Sequence, residues 1–199
     1  MTGLLALLLA YLLGAIPFGF LLVRWKTGTD VRTQGSGNIG ATNVLRTTGK
    51  AAGVLTLLLD IGKGYLAVWL AGRLTGGAAV WMSAAALAVM AGHAFPVFLR
   101  FRGGKAVASV VGAFLCLAPG ALGLTAAVFV VAVAATRYIS VGSMAGAAAL
   151  PVLVWLLGGA MWPVGAAAVA GVFIIWRHKG NLARLRAGTE NRFQWGGKS

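Results

Sequence analysis

The chain alternates long apolar stretches with short polar segments, and the lengths of the apolar stretches predict how it folds. A helix needs roughly 20 mostly apolar residues to cross a hydrocarbon core of about 30 Å. Residues 4–23, 51–70 and 78–99 each have about that length. We expect each of them to form one membrane-spanning helix. The first is too long to be only the apolar core of a signal peptide.

Two further uncharged stretches, residues 106–136 and 141–176, are longer than one span requires. As a single helix, each would exceed about 45 Å, which tilting does not readily absorb. Each is also interrupted near its middle, at Pro119 in the first and between Gly158 and Pro163 in the second. We therefore predict two helices from each stretch, which makes seven spans.

The distribution of basic residues fits seven spans. With seven, every Lys and Arg except Arg73 and Lys63 falls on one side, up to Lys198 near the end of the chain. The positive-inside rule places that side in the cytoplasm and the N-terminus outside. Five spans, with neither long stretch divided, would misplace only Arg137 and are the alternative. Lys63 lies inside a span three residues after Asp60, and we expect the two charges to neutralise each other.

The composition agrees with a membrane protein and disfavours several soluble classes. Hydrophobic residues make up 59% of the chain, charged residues 10%, and the mean hydropathy is +0.88, whereas a soluble domain has about 25% charged residues. Nucleic-acid-binding proteins share the net charge of +14 but not the apolar excess. Three acids, two histidines and one cysteine are too few for a metal hydrolase, a carboxylate-pair enzyme or a disulfide framework. We expect no metal, no cofactor and no nucleic-acid partner.

Nearly all remaining polar residues gather in four segments on the predicted cytoplasmic side. The first, residues 35–43, contains a G-x-G-x-x-G pattern. A dinucleotide-binding site requires a strand before this pattern, but a basic loop precedes it here. We therefore reject a dinucleotide-binding site. What remains is a loop whose main-chain N–H groups can face an anion, with a tight juxtamembrane turn as the alternative. The residues expected to contact phosphate here are Ser36, Gly37, Asn38, Thr42, Asn43 and the following Arg46.

The second segment ends in Gly103, Gly104 and Lys105, directly before an apolar stretch. Glycines at a helix N-terminus leave N–H groups available to an anion, and Lys105 adds a full charge. The segment is not a Walker A loop, because the first glycine and the final Ser or Thr of that motif are missing. Arg100 and Arg102 either join this site or only set the membrane orientation.

The third segment is short, residues 137–143, and the fourth covers residues 176–190. Ser143, near the start of an uncharged stretch, is either a helix N-cap or a phosphate ligand. In the fourth segment, His178, Asn181 and Arg184 recur every three residues and therefore fit one helical face. Glu190 is the acid nearest to them, and we expect it to pair with an arginine and hold the tail. A basic tail lying on anionic lipid is the alternative, although it would not need His178 or Asn181.

Together the four segments are rich in donors and poor in carboxylates, which suits a phosphate-bearing substrate. By these residues the chain resembles the bacterial acyl-phosphate:glycerol-3-phosphate acyltransferases of the PlsY type over essentially its whole length. Three blocks carry the resemblance: residues 36–43 with Arg46, residues 92–109, and residues 178–190. Where the family pattern reads Gly-Gly-Lys-Gly-Val-Ala-Thr, this chain has Ala106 and Ser109 in place of the last Gly and the Thr.

The resemblance implies an all-α integral membrane protein with seven helices, one domain over residues 1–199 and its motifs in the cytoplasm. It implies an enzyme of the bacterial inner membrane, surrounded by anionic lipid, that performs the first step of phospholipid synthesis without a cofactor. Acyl phosphate would be the donor, and glycerol 3-phosphate the acceptor. A monomer is plausible. A transporter of small anions or phosphate esters is the alternative function.

We hypothesise that a phosphate pocket stabilises charge as the acyl–oxygen bond breaks. Its expected members are Ser36, Arg46, Lys105, Ser143, His178 and Asn181. The proton of the attacking hydroxyl would go to His178 or, as we slightly favour, to a substrate phosphate oxygen. Ser36 acting as a nucleophile is the rival mechanism. Glu190, Arg184, Asp60 and Lys63 are expected to support the structure.

Overall fold

The computed structural model describes residues 1–193, and this part of the chain is helical and contains no strand. The all-α prediction is therefore confirmed for the described residues. Contacts between Cα atoms divide the chain into two compact units, one ending at Leu117 and the other beginning at Ala118. Lys198, one of the predicted cytoplasmic cations, lies outside the described residues.

The first unit contains six α-helices and two short 3₁₀ turns. The helices are α1 (Thr2–Ala15), α2 (Phe18–Thr27), α3 (Ala41–Thr48), α4 (Lys50–Leu74), α5 (Ala79–Ala94) and α6 (Val107–Leu117), and the turns are Val31–Thr33 and Val97–Leu99. The sequence predicted one helix over residues 4–23, but the structure breaks it between α1 and α2. Pro17, which lacks an N–H group and cannot continue the hydrogen-bond ladder, stands at this break.

Glycines bring the helices of the first unit close together. A Cβ atom built on Gly64 of α4 would clash with the carbonyl oxygen of Ser109 on α6, and one built on Gly112 would clash with the carbonyl oxygen of Ile61. The two helices are therefore antiparallel and nearly in backbone contact. Small residues allow this approach, and the gain in van der Waals packing holds helices together where lipid surrounds them.

A buried ion pair on α4 contacts the break between α1 and α2. The Lys63 ammonium lies 2.8 Å from the Asp60 carboxylate, and both side chains are 3% exposed. Lys63 also donates a hydrogen bond to the Ile16 carbonyl, 2.9 Å away, at the break between α1 and α2. The predicted neutralisation of these charges is confirmed. Lys63 thereby supplies a hydrogen-bond donor to the Ile16 carbonyl, near the break where the regular hydrogen bonds of the helix are interrupted.

The second unit contains α7 (Pro119–Thr136), α8 (Ile139–Leu156), α9 (Met161–Arg177) and α10 (Lys179–Arg186). Both predicted helix breaks are confirmed. Pro119 is the first residue of α7, a position where the missing N–H group costs nothing. Gly158, at φ +75°, lies in the connection between α8 and α9, in a left-handed conformation that favours glycine.

The chain is a multi-pass membrane protein by the length and composition of its helices. Within residues 1–193, five helical segments are long and apolar enough to cross a membrane: Thr2–Thr27, Lys50–Leu74, Ala79–Leu99, Pro119–Thr136 and Ile139–Leu156. The α9–α10 pair, bent by 49°, adds a sixth if it is one span. The eleven residues of α6 are fewer than a full span needs. Seven spans and their orientation therefore stay predictions.

The contact between α4 and α6 predicts opposite effects for two neighbouring glycines. Gly64→Ala should lower the Tm of the purified protein, because the added methyl group forces the two backbones apart. Gly62→Ala, two residues away, meets no atom within 4 Å and should leave the Tm unchanged or raise it, since alanine is favoured over glycine in a helix by about 1 kcal/mol. Thermal unfolding in detergent measures both. Equal Tm values for the two variants would contradict the close packing.

Candidate active site

One buried amide organises the first polar segment. The Asn43 side chain, 2% exposed in the first turn of α3, accepts a hydrogen bond from the Ser36 N–H group at 2.9 Å. Its Nδ2 atom lies 2.8, 3.1 and 3.3 Å from the carbonyl oxygens of Asn38, Gln34 and Val31. The segment therefore wraps around Asn43, and the G-x-G pattern belongs to a tight loop, not to a nucleotide site.

This arrangement corrects one predicted role. Asn43 was expected to contact phosphate directly, but its amide is engaged by the backbone of its own loop. Ser36 and Gly37 are exposed on the loop, while on α3 Arg46 is exposed and Thr42 is half-buried. Gly37, at φ +69°, adopts a left-handed conformation that a residue with a side chain rarely takes. The contribution of Asn43 is to shape the loop that carries Ser36 and Gly37.

The second polar segment lies over the end of α5 and does not open a helix. Gly103 and Gly104 donate hydrogen bonds to the carbonyl oxygens of Ala94 and His93, at 3.2 and 3.1 Å. The expectation that their N–H groups lie at a helix N-terminus is therefore wrong, because α6 begins only at Val107. These bonds satisfy carbonyls that the end of α5 leaves without a helical partner. Lys105 follows them and is half-buried.

Ala106 occupies a conformation that favours glycine. Its φ is +63°, and its side chain is 1% exposed. A left-handed conformation costs an L-residue with a side chain roughly 1–2 kcal/mol, so Ala106 places strain directly after Lys105.

The structure assigns a structural role to His93, which sequence reasoning missed. His93 is 4% exposed, and its Nδ1 atom lies 3.1 Å from Ser109 Oγ and 3.6 Å from Asp60 Oδ1. Its ring also packs against Gly104, since a Cβ atom built there would clash with Nε2 and would lie 3.4 Å from Asn38 Oδ1. His93 therefore connects the buried ion pair to the glycine loop, residues 103–104. The first two polar segments contact each other beside the His93 ring. The one sequence feature that could have indicated this role is that His93 lies in the second block of the family resemblance, residues 92–109.

In the second unit, Glu190 brings the third and fourth polar segments together. Its carboxylate accepts hydrogen bonds from Ser140 at 2.9 Å, Asn181 at 2.6 Å and Arg184 Nε at 2.7 Å. The predicted pairing of Glu190 with an arginine is confirmed. Burial raises the pKa of the Glu190 carboxyl, but the hydrogen bonds from Asn181, Arg184 and Ser140 outweigh it, so the pKa lies below its ordinary value. Ser140 was missed, because nothing in the local sequence links it to a residue fifty positions later.

His178 ends α9, where the chain bends into α10. The ring is 3% exposed, and Nδ1 lies 2.8 Å from the Ile174 carbonyl oxygen. Because a carbonyl only accepts, Nδ1 carries the proton, and a neutral ring then has its lone pair on Nε2. Asn181 and Arg184 lie on one face of α10, as their spacing predicted, since both reach the same carboxylate.

Ser143 is not an N-cap. The α8 helix begins at Ile139, and Ser143 Oγ donates to the Ile139 carbonyl at 2.9 Å, one turn inside the helix. The capping alternative is therefore wrong. The hydroxyl hydrogen of Ser143 is therefore used within the helix, but the hydroxyl oxygen can still accept a hydrogen bond from another donor.

Comparisons with known proteins identify relatives of this chain. Residues 4–188 match the family described as glycerol-3-phosphate acyltransferase. The glycerol-3-phosphate acyltransferase of Geobacter sulfurreducens is 47% identical over 93% of this chain and 94% of its own length, and that of Synechococcus sp. is 45% identical over 100% and 99%.

Two solved structures are also similar. The crystal structure of PlsY (YgiH), an integral membrane glycerol 3-phosphate acyltransferase, in its glycerol 3-phosphate form superposes with a TM-score of 0.93 at 36% identity. The match covers 98% of this chain and 96% of that chain. Its lysophosphatidic acid form gives a TM-score of 0.89 at 34% identity, with the same coverage.

The loop around Asn43 predicts a contrast between two isosteric substitutions. Asn43→Asp removes the donors that face three carbonyl oxygens and should cost about 1–3 kcal/mol, as unsatisfied buried polar groups do. Asn38→Asp keeps the acceptor that binds the Gly40 N–H group at 2.8 Å and should unfold near the wild-type temperature. Thermal unfolding compares them. A wild-type Tm for Asn43→Asp would show that the amide does not hold the loop.

The Glu190 cluster predicts a pH-dependent stability. Its folded pKa lies below the unfolded value, so its contribution is present above roughly pH 4.3 and is lost as the pH falls through the folded pKa. Glu190→Gln should therefore lower the Tm at pH 7, and the difference from wild type should shrink in acid. Arg186→Gln removes a charge of the same helix outside the cluster and is the control. A constant difference at every pH would refute the ionised cluster.

Proposed function

The chain belongs to the glycerol-3-phosphate acyltransferase family, and from this premise we propose that it takes its acyl chain from acyl phosphate. The acceptor would be the 1-hydroxyl group of glycerol 3-phosphate, and the products would be lysophosphatidic acid and inorganic phosphate. The acyltransferase function in phospholipid biosynthesis follows from family membership. The identity of the donor, the residues that bind it and the chemical steps are our proposals.

We further propose that the enzyme works as one functional domain, and as a monomer, with seven spans in the bacterial inner membrane. Its polar loops would face the cytoplasm, and its N-terminus would lie outside. The positive-inside rule carries this orientation, because almost all lysines and arginines fall on one side of the seven-span arrangement. Both substrates carry phosphate and are charged, so an active site at the cytoplasmic surface would be open to them.

The meeting of the first two polar segments supports a phosphate site in the first unit. Asn38 of the first loop and Gly104 of the second lie beside His93, so the loops that carry Ser36 and Lys105 are neighbours. Ammonium and guanidinium groups form strong, charge-assisted hydrogen bonds to phosphate oxygens. We propose that Lys105 and Arg46 bind substrate phosphate, assisted by Ser36, Gly37, Asn38 and Thr42. Gly103 and Gly104, whose N–H groups donate to α5, would position Lys105. Ser143 of the second unit stays a predicted phosphate ligand.

The proposed reaction is a direct displacement. The hydroxyl oxygen of glycerol 3-phosphate bonds to the acyl carbon, the bond from that carbon to the phosphate oxygen breaks, and phosphate leaves with the electron pair. The hydroxyl proton passes to a phosphate oxygen of the substrate or to Nε2 of His178. His178 suits the second route because its Nδ1 proton is directed to Ile174. Asn181, whose amide donates to Glu190, would help to orient this part of the site.

Two alternatives make different predictions. A Ser36 nucleophile would form an acylated protein when acyl phosphate is supplied without acceptor, whereas direct displacement gives no such adduct. A transporter of phosphate esters would need binding groups near the bilayer midplane. The comparisons do not favour it, and the ionised pair within α4 is already internally neutralised.

The donor is tested by product stoichiometry. Purified protein supplied with acyl phosphate and glycerol 3-phosphate should release one inorganic phosphate for each lysophosphatidic acid formed. Acyl-CoA and acyl carrier protein should not replace acyl phosphate, because neither presents a phosphate leaving group on the acyl carbon. Turnover with acyl-CoA but not with acyl phosphate would contradict the proposed donor while leaving the acyltransferase function intact.

The phosphate site predicts large losses for two cations. Lys105→Ala and Arg46→Ala should each lower kcat/KM by about two to three orders of magnitude, the usual effect of removing a group that stabilises developing charge. Both proteins should remain folded in detergent. Lys26→Ala and Arg24→Ala remove matched cations from the last turn of α2 and should turn over normally. Near-normal turnover of both site variants would remove Lys105 and Arg46 from the pocket.

A further inference from the structure

A basic cleft in the first unit has no role in the proposed reaction. It has a volume of about 460 Å³, within the range of small-ligand sites. Six residues line it: Phe20, Arg32, Phe98, Leu99, Arg100 and Arg102. Three guanidinium groups and three apolar side chains therefore share one concave surface. The sequence offered membrane orientation as one explanation of Arg100 and Arg102, but orientation does not require them to line a cleft.

The cleft lies where two candidate spans end. Arg32 follows the Thr2–Thr27 span, and Phe98 to Arg102 lie at and just beyond the end of Ala79–Leu99. These spans run parallel, because Gly3 packs against Trp81 and Gly14 against Val89. Their C-terminal ends therefore lie at the same end of the unit. In a bilayer, that end is the boundary between hydrocarbon and water, where phospholipid phosphates are found.

The charges around the cleft are not balanced by the protein. Arg32 pairs with Asp30 at 2.7 Å, and its guanidinium stacks on the Phe20 ring at 5.1 Å. Arg100 and Arg102 are exposed, and neither pairs with a carboxylate in residues 1–193. One carboxylate beside three guanidinium groups leaves excess positive charge. An anion in the cleft would relieve the repulsion and form charge-assisted hydrogen bonds.

The backbone that presents these arginines adopts an uncommon conformation. Arg100 and Phe101 have φ values of +52° and +62°, so two consecutive residues with side chains are left-handed. Their N–H groups donate to the carbonyl oxygens of Val97 and Pro96, which fixes the turn. Backbone strain of this kind persists only where the surrounding structure imposes it, and it is concentrated at functional sites.

From these features we propose that the cleft binds an anionic phospholipid of the surrounding leaflet. The lipid phosphate contacts Arg100 and Arg102, and the start of an acyl chain packs on Phe98, which is 61% exposed. A free phosphate ion would use the cations but not the apolar wall, so the mixed lining favours an amphiphile. None of the six lining residues is among the proposed phosphate ligands, and the proposal does not depend on the identity of the acyl donor.

Lipid titration with matched charge variants tests the site. The full-length protein, in nanodiscs of phosphatidylcholine with increasing phosphatidylglycerol, is analysed by native mass spectrometry for retained phosphatidylglycerol. Arg100→Gln/Arg102→Gln is compared with Arg24→Gln/Lys26→Gln. The second double variant also removes two cations, from the last turn of α2 at the end of the Thr2–Thr27 span. General attraction to an anionic surface depends on the charge removed and acts on both variants alike. The cleft variant should lose about tenfold more affinity than the control.

Equal losses in the two double variants would overturn the proposal, since they would reduce the effect to surface charge. Displacement of phosphatidylglycerol by millimolar inorganic phosphate would also overturn it, because the cleft would then be a site for the free ion. If the double cleft variant fails to fold, Arg102→Lys keeps the charge but removes the planar fork that binds phosphate. Weakened retention supports the site, and wild-type retention refutes it.

Discussion

The absence of water in the hydrocarbon core is the constraint on which this structure depends. A polar group at that depth must find its partner within the protein, because an unsatisfied one costs several kcal/mol. Asp60 and Lys63 meet this requirement by pairing with each other, and Lys63 also satisfies a carbonyl beside the break at Pro17. Most remaining helix surface is apolar or small, and glycines bring α4 and α6 into near backbone contact.

The same constraint confines the chemistry to the helix ends, where each polar loop is held by one buried side chain. Asn43 binds the backbone of the first loop, and Glu190 gathers Ser140, Asn181 and Arg184. His93 connects the buried ion pair to the glycine loop before Lys105. The proposed phosphate-binding cations, Arg46 on α3 and the half-buried Lys105, therefore lie beside loops that buried side chains hold in place.

Sequence reasoning succeeded where a feature depends on residues close in the chain. The breaks at Pro119 and Gly158, the pairing of Asp60 with Lys63, and the common face of Asn181 and Arg184 all follow from local periodicity or local breakers. It failed where a contact or a backbone angle comes from tertiary structure. The N–H groups of Gly103 and Gly104 fold back onto α5, Asn43 turns inward, and Ser140 meets Glu190 across fifty positions. No spacing in the sequence encodes those distances.

In the proposed reaction, fixed cations at the helix ends recognise the phosphate group of a substrate. The most direct measurement compares glycerol 3-phosphate with glycerol as acceptors, at equal concentration and with acyl phosphate as donor. The two molecules present the same attacking hydroxyl and differ in the charged group. Our account predicts rapid acylation of glycerol 3-phosphate and negligible acylation of glycerol. Comparable initial rates with both acceptors would contradict it.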